Sequence, residues 1–217
     1  MQTSYDVFPI RAARVSKRSA IGTNLAAAIL TALALSSCSS APEQASVSAP
    51  VTKADKPFAA AGSIEMQLEG GDYTIRASPD EHIRVSFAGN TGNAAADLGI
   101  IGTHATLAVT NTPHNNFRAT VEVPATADLT VHLTGGNLEV AAITGNKDIE
   151  SKAGNVQIAT PNPNDYASVN ATITAGNLTA GPFGDSSSGL SPHLSWSGSG
   201  KYTLRASLGA GNLELKH

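Results

Sequence analysis

Six histidines, one cysteine and a scatter of carboxylates are the groups in this 217-residue chain that could carry chemistry. The histidines, His82, His104, His114, His132, His193 and His217, are dispersed, with no HxxxH or HExxH pair to share a transition metal. Cys38 has no second cysteine to join it in a metal site. Calcium binding in Gly-rich turns needs charged oxygen ligands, and the turns of this chain carry Asn far more often than Asp. A serine nucleophile needs a GxSxG elbow; GDSSSG from Gly184 and SWSGSG from Ser195 miss that spacing and read as flexible loops. Acid-base cleavage of a polysaccharide needs two carboxylates converging in a groove. Glu139, Asp148, Glu150 and Glu214 instead occur singly, among Lys147, Lys152 and Arg205, as on solvated strand faces. No catalytic, cofactor-binding or metal-ligating residue is therefore assigned, and no enzyme is expected.

Cys38 has a different chemistry available. Arg11, Arg14, Lys17 and Arg18 precede an apolar run from Ile21 to Leu35, which is short and interrupted by Asn24, as in an export signal rather than a membrane span. The run stops at Leu35-Ser36-Ser37-Cys38, which resembles the lipobox of bacterial lipoproteins. That resemblance implies cleavage before Cys38 and lipid attachment to it, so residues 1–37 are expected to be a signal peptide. Ser39 rather than Asp follows the cysteine. An exported protein of the bacterial cell envelope is expected, held at the outer membrane and facing the periplasm or the cell surface.

The full chain has 14 basic and 17 acidic residues, and loss of the leader would leave a mature protein with a charge of about −6. Nucleic acid is excluded as a partner, because phosphate binding needs clustered Lys and Arg. The stretch that follows, SSAPEQASVSAPVTKADKP, is rich in Ser, Ala and Pro and has too little apolar surface to fold. Residues 38–58 thus read as a lipidated N-terminus and flexible tether, and residues 59–217 as one folded domain.

What must position any site in that domain is a repeat. TGGNLEV from Thr134 returns as KAGNVQI from Lys152, TAGNLTA from Thr174 and GAGNLEL from Gly209, with EGGDYTI as an earlier relative. Aligned on Asp72, Asn137, Asn155, Asn177 and Asn212, the preceding residue is always Gly, as at Gly136, Gly154, Gly176 and Gly211. Asn137, Asn155 and Asn177 are 18 and 22 residues apart, and Asn212 follows after 35. Apolar residues sit four and six before the Asn and one and three after it, alternating with polar ones at period two. Each copy is strand, Gly-Asn corner, strand, where Gly allows the positive φ of the bend. An all-β domain with almost no helix follows. A parallel β-solenoid-like stack of two-strand coils is favoured, because a period near 18 returns equivalent side chains to equivalent places. The alternative is an antiparallel β-meander or sandwich with Gly-Asn as hairpin turns. In the stack, the Asn side chains would form a ladder and Gly145-Asn146 would fill the opposite corner of a coil.

The stretch from Val121 to Ile158, VEVPATADLTVHLTGGNLEVAAITGNKDIESKAGNVQI, resembles the bacterial family known as "putative adhesins". The resemblance extends to His217 and, more loosely, back to Ser63. It implies a β-solenoid-like fold in an envelope protein and no catalytic residues. The insertion from Gly181 to Gly200 contains Phe183, His193 and Trp196, aromatic groups suited either to gripping a partner or to capping the stack. The expected function is a lipid-anchored, non-catalytic domain for adhesion, interaction or scaffolding, contacting an envelope protein or glycan. Self-association through unpaired ends is compatible with it. The alternatives are a polysaccharide-active enzyme and an envelope-stress sensor.

Overall fold

The computed structural model describes residues 49–217, and the alternating segments within them are strands. In chain order these are β1 (Val51–Pro57), β2 (Ser63–Leu68), β3 (Gly71–Ala77), β4 (His82–Gly89), β5 (Ala95–Ile101), β6 (His104–Thr110) and β7 (Phe117–Val123). There follow β8 (Asp128–Leu133), β9 (Gly136–Val140), β10 (Lys147–Ala159), β11 (Tyr166–Ala180), β12 (Asp185–Leu190), β13 (His193–Ser197) and β14 (Tyr202–Lys216). Two single 3₁₀ turns, Pro163–Asp165 and Gly181–Phe183, are the helical elements among the described residues.

The Gly-Asn units do not form hairpins. Positive φ at the glycine bends the chain without reversing it, so the two half-strands of each unit lie on different walls. On the first wall β6, β2, β8 and the leading halves of β10, β14 and β11 run parallel, in register. On the second wall β7, β3, β9 and the trailing halves of β10, β14 and β11 do the same. Inward side chains line up across strands. Met66, Val131, Ile149, Ala206 and Ala171 make one buried row, and Tyr73, Leu138, Val156, Leu213 and Leu178 another. These rows are the columns that align in the sequence. Each large apolar side chain so buried contributes roughly 1.5–3 kcal/mol, and the rows merge into one continuous core.

Antiparallel strands complete the sheet at its two ends. At one end β4 pairs with β7, β1 with β4, and β5 with β6. There β1 also lies against β5, so the mixed sheet comes round into a nearly closed, barrel-like form. At the other end β12 and β13 pair antiparallel with the two halves of β11.

Three expectations need correction. Residues 51–57 are not tether but strand β1, and Phe58 is buried beside it. This strand escapes the alternation rule because it is an exposed edge, held by its backbone ladder to β4 and by ion pairs instead of by apolar burial. The segment GDSSSG is strand β12 from Asp185 onward and the first half of SWSGSG, Ser195 to Ser197, belongs to β13, so Gly198 to Gly200 keep the loop reading. The layers also do not follow chain order: β14 lies between β10 and β11, so the 35-residue interval steps back by one layer. Small corner residues and matching apolar columns make the layers interchangeable, and local pattern cannot rank them.

Candidate functional site

The corner between the walls carries a continuous hydrogen-bonded ladder. Asn177 Nδ2 donates to Asn212 Oδ1 at 2.7 Å, and Asn212 Nδ2 to Asn155 Oδ1 at 2.7 Å. Asn155 Nδ2 then donates to Asn137 Oδ1 at 2.8 Å, and Asn137 Nδ2 to Asp72 Oδ1 at 2.6 Å. Every donor points toward Asp72, so the row of amide dipoles presents its positive end to a carboxylate that has only to accept. The glycines beneath are required by space as well as by φ. Gly154 has φ of 126°, and a Cβ there would collide with the carbonyl of Gly136; Gly136, Gly176 and Gly211 repeat this against their own neighbours.

The opposite corner is built around Asn146. Asp128 accepts from its backbone N at 2.7 Å and its Nδ2 at 3.2 Å, while Asn146 Oδ1 accepts from Thr203 N at 2.9 Å and Oγ1 at 3.1 Å. This corner opens into a polar groove of about 540 Å³. Its floor is the outward row Thr130, Asp148, Arg205 and Asn170, adjacent by register across β8, β10, β14 and β11. Among the described residues, neither Asp148 nor Arg205 takes part in an ion pair within 4.0 Å.

Lys147 differs from the reading of it as a surface charge. It is 2% exposed and faces inward, its Nζ donating to the carbonyls of Ile143 (2.5 Å) and Gly145 (3.3 Å) and to Tyr166 Oη (3.2 Å). Burial pushes its ammonium down to about 8, against the opposing pull of Asp128 and Asp165. Burial, aided by Asp165, pushes the Tyr166 hydroxyl up to about 12. Parity was the missed signal, since Lys147 lies two residues before Ile149 and so shares its face.

Among the described residues, the side chains of catalytic type fall in separate places. Ser63 Oγ lies 2.9 Å from His104 Nδ1, but the carboxylate next in the row, Asp128, neighbours Ser63 rather than the histidine. It cannot orient the imidazole as a triad requires. Glu139 and Glu214 flank Gln157 on the second wall, where Lys216 Nζ donates to Glu139 (3.1 Å) and Gln157 (3.0 Å). Glu150 stands on the first wall, 3.3 Å from His132. The side chains of Glu139 and Glu150 are 52% and 62% exposed. Among the described residues no three His, Cys, Asp or Glu side chains come close enough to hold a metal ion.

The insertion divides its aromatic groups. Trp196 is half-buried with its ring 5.1 Å from Phe183, and Phe183 is 6.3 Å from Tyr166, closing the end of the core beneath β12 and β13. His193 points outward from the start of β13, opposite Thr172. The three residues therefore do not form one exposed patch; among the described residues the large apolar side chains exposed to solvent are Val51, Ile101 and Leu190, on three separate strands. Cys38 and the leader, residues 1–37, lie outside the described residues.

The described residues form an all-β fold. A "putative cell adhesion protein" from Clostridium sporogenes superposes with a TM-score of 0.50 at 12% identity, over 77% of this chain and 99% of that one. Two further solved structures are a "putative adhesin" from Parabacteroides merdae (TM-score 0.26, 12% identity, 76% of this chain and 80% of that one) and one from Bacteroides fragilis (0.24, 7%, 77% and 97%). No protein-family model and no curated protein sequence matches the chain. The likeness to the Clostridium protein is one of fold.

Proposed function

We propose that this protein is a lipid-anchored component of the bacterial cell envelope whose β domain is a non-catalytic contact module for adhesion or scaffolding. Cleavage before Cys38 and acylation of its thiol would attach it to the membrane. The domain is read as a β-solenoid-like stack, a reading supported by the in-register parallel pairing of all five Gly-Asn or Gly-Asp corners. Such a stack holds its outer rows rigid at roughly 4.8 Å spacing, a fixed array for meeting a partner.

The observation that carries the contact role is the groove at the Asn146 corner. Its Asp148 and Arg205 stand side by side on backbone fixed by neighbouring strands, with Thr130 and Asn170 on either side. A donor, an acceptor and two mixed groups on a flat floor suit the hydroxyls of an envelope glycan better than an apolar ligand. The name of the Clostridium sporogenes protein, a "putative cell adhesion protein", agrees with a contact role. The test is binding of purified envelope glycans to the full chain and to the Asp148→Ala/Arg205→Ala variant. At least a tenfold loss in the variant is expected, while equal binding by both proteins would remove the groove from the account. Anchoring is checked separately by metabolic labelling with palmitate, which Cys38→Ser should abolish.

A further inference from the structure

The two ends of the sheet are finished differently. At the β1–β5 end the exposed edges are guarded: β1 carries Lys53, Asp55, Lys56 and Pro57 and a register break between Thr52 and Ala54, and Lys56 Nζ reaches across to the carbonyl of Leu98 on β5. Charges, proline and bulges are the devices that stop an edge strand from accepting another. The far end is a layer running opposite to the rest, β12 on the second wall and β13 on the first, joined through a corner at Leu190, Ser191 and Pro192. Its inner side pairs with β11, and among the described residues nothing pairs with its outer side. By sequence, DSSSGL and HLSWS contain one ionised residue, Asp185, and no lysine or arginine. Leu190 at its corner is 86% exposed.

We propose that this layer is a self-association surface that takes a second copy of the same layer, end to end, about a two-fold axis through the corner. Rotation about that axis exchanges the walls, so β12 of one copy meets β13 of the other. The chain then runs toward the corner in one strand and away from it in the other, which makes each pair antiparallel. The outward N–H and C=O groups of both layers are satisfied, and the two Leu190 side chains approach each other near the axis. Because the β1–β5 end is guarded, association closes at two copies and does not extend into a fibre. In one respect the proposal rests on the anchoring read above: the chain enters each domain at β1, about eight strand spacings or roughly 40 Å from the joining layer. Paired copies would then carry their anchors at opposite ends and link two membranes.

The test uses the full chain in detergent. Wild-type protein at tens of micromolar should have a dimer's mass by light scattering. Leu190→Cys in a Cys38→Ser background should oxidise to a single dimeric band. Ser188→Lys/Ser195→Lys, at two exposed positions of the layer, should give monomer with an unchanged far-UV spectrum and a cooperative urea transition whose midpoint no longer depends on protein concentration. A monomeric wild type, a dimer that survives the lysines, or a ladder of higher cross-linked species would each overturn the pairing. Clustering of vesicles carrying the acylated protein, lost in the lysine variant, is the result expected for opposed anchors. A dimer in detergent without vesicle clustering would reject the anchor geometry alone and leave the pairing intact.

Discussion

Asn155 sits in the middle of the corner ladder and makes two of its bonds, donating to Asn137 and accepting from Asn212, whereas Asn177 at the end makes one. These groups are exposed, so water can replace a lost partner and each bond is worth its modest net value. Asn155→Ala is expected to lower stability by about 1–2 kcal/mol and Asn177→Ala by about half as much, as read from urea midpoints. Equal costs would mean that the corner amides act singly and not as a ladder. Lys147 makes a pH-dependent contribution. Its folded pKa, about 8, lies below the unfolded value of 10.5, so the folded state releases the proton first and the unfolded state binds more protons between these values. The penalty for burying the ammonium is fully present below pH 8 and is relieved as pH rises toward 10.5. Measured against Lys147→Met, wild-type stability should therefore gain up to about 3 kcal/mol between pH 7.5 and 10.5. A flat difference would show that the Lys147 ammonium titrates alike in the folded and unfolded chain and that its burial costs it nothing.

At the scale of elements, the connection from β11 to β14 is the one that departs from its neighbours. The returns from β9 to β10 and from β10 to β11 take six residues each, 141–146 and 160–165, whereas residues 181–201 separate β11 from β14. The long return contains the reversed layer, which covers the outer edge of β11 and the core end at Tyr166 and Phe183. Replacing residues 181–201 by the six-residue return AAITGN should leave β14 between β10 and β11, because six residues already span a layer elsewhere. The edge of β11 would then be open. The expected outcome is a folded domain with a melting temperature lowered by several degrees and a tendency to aggregate. An unchanged melting temperature and clean monomer would show that the reversed layer contributes nothing to the cap. Alternation and Gly-Asn spacing made the strands and their corners legible in the sequence, but not whether neighbouring strands run parallel, because side-chain parity is the same in both arrangements. The edge strand β1 was not legible, because its partners are backbone groups and charges 25 to 36 residues away, on β4.

For the whole molecule, one continuous core joins both walls and both ends. Trp196 reports on the capped end, while far-UV dichroism reports on the entire sheet. Their urea transitions should coincide, as for a single cooperative unit; an earlier fluorescence transition would reveal an end that frays independently. The sequence alone determined the local shape of this protein: where strands alternate, where glycine must bend the chain, which side chains face the core, and that its potential chemical groups are scattered. Those properties depend on φ preferences and on a side-chain period of two, which act over a few residues. Tertiary structure decided the order of the layers, the burial of Lys147 against Tyr166, the groove at Asn146, and the unequal finishing of the two ends. Layers with equal corners and matching apolar columns can stack in more than one order. The choice falls to the long-range cost of leaving a core end or a strand edge uncovered.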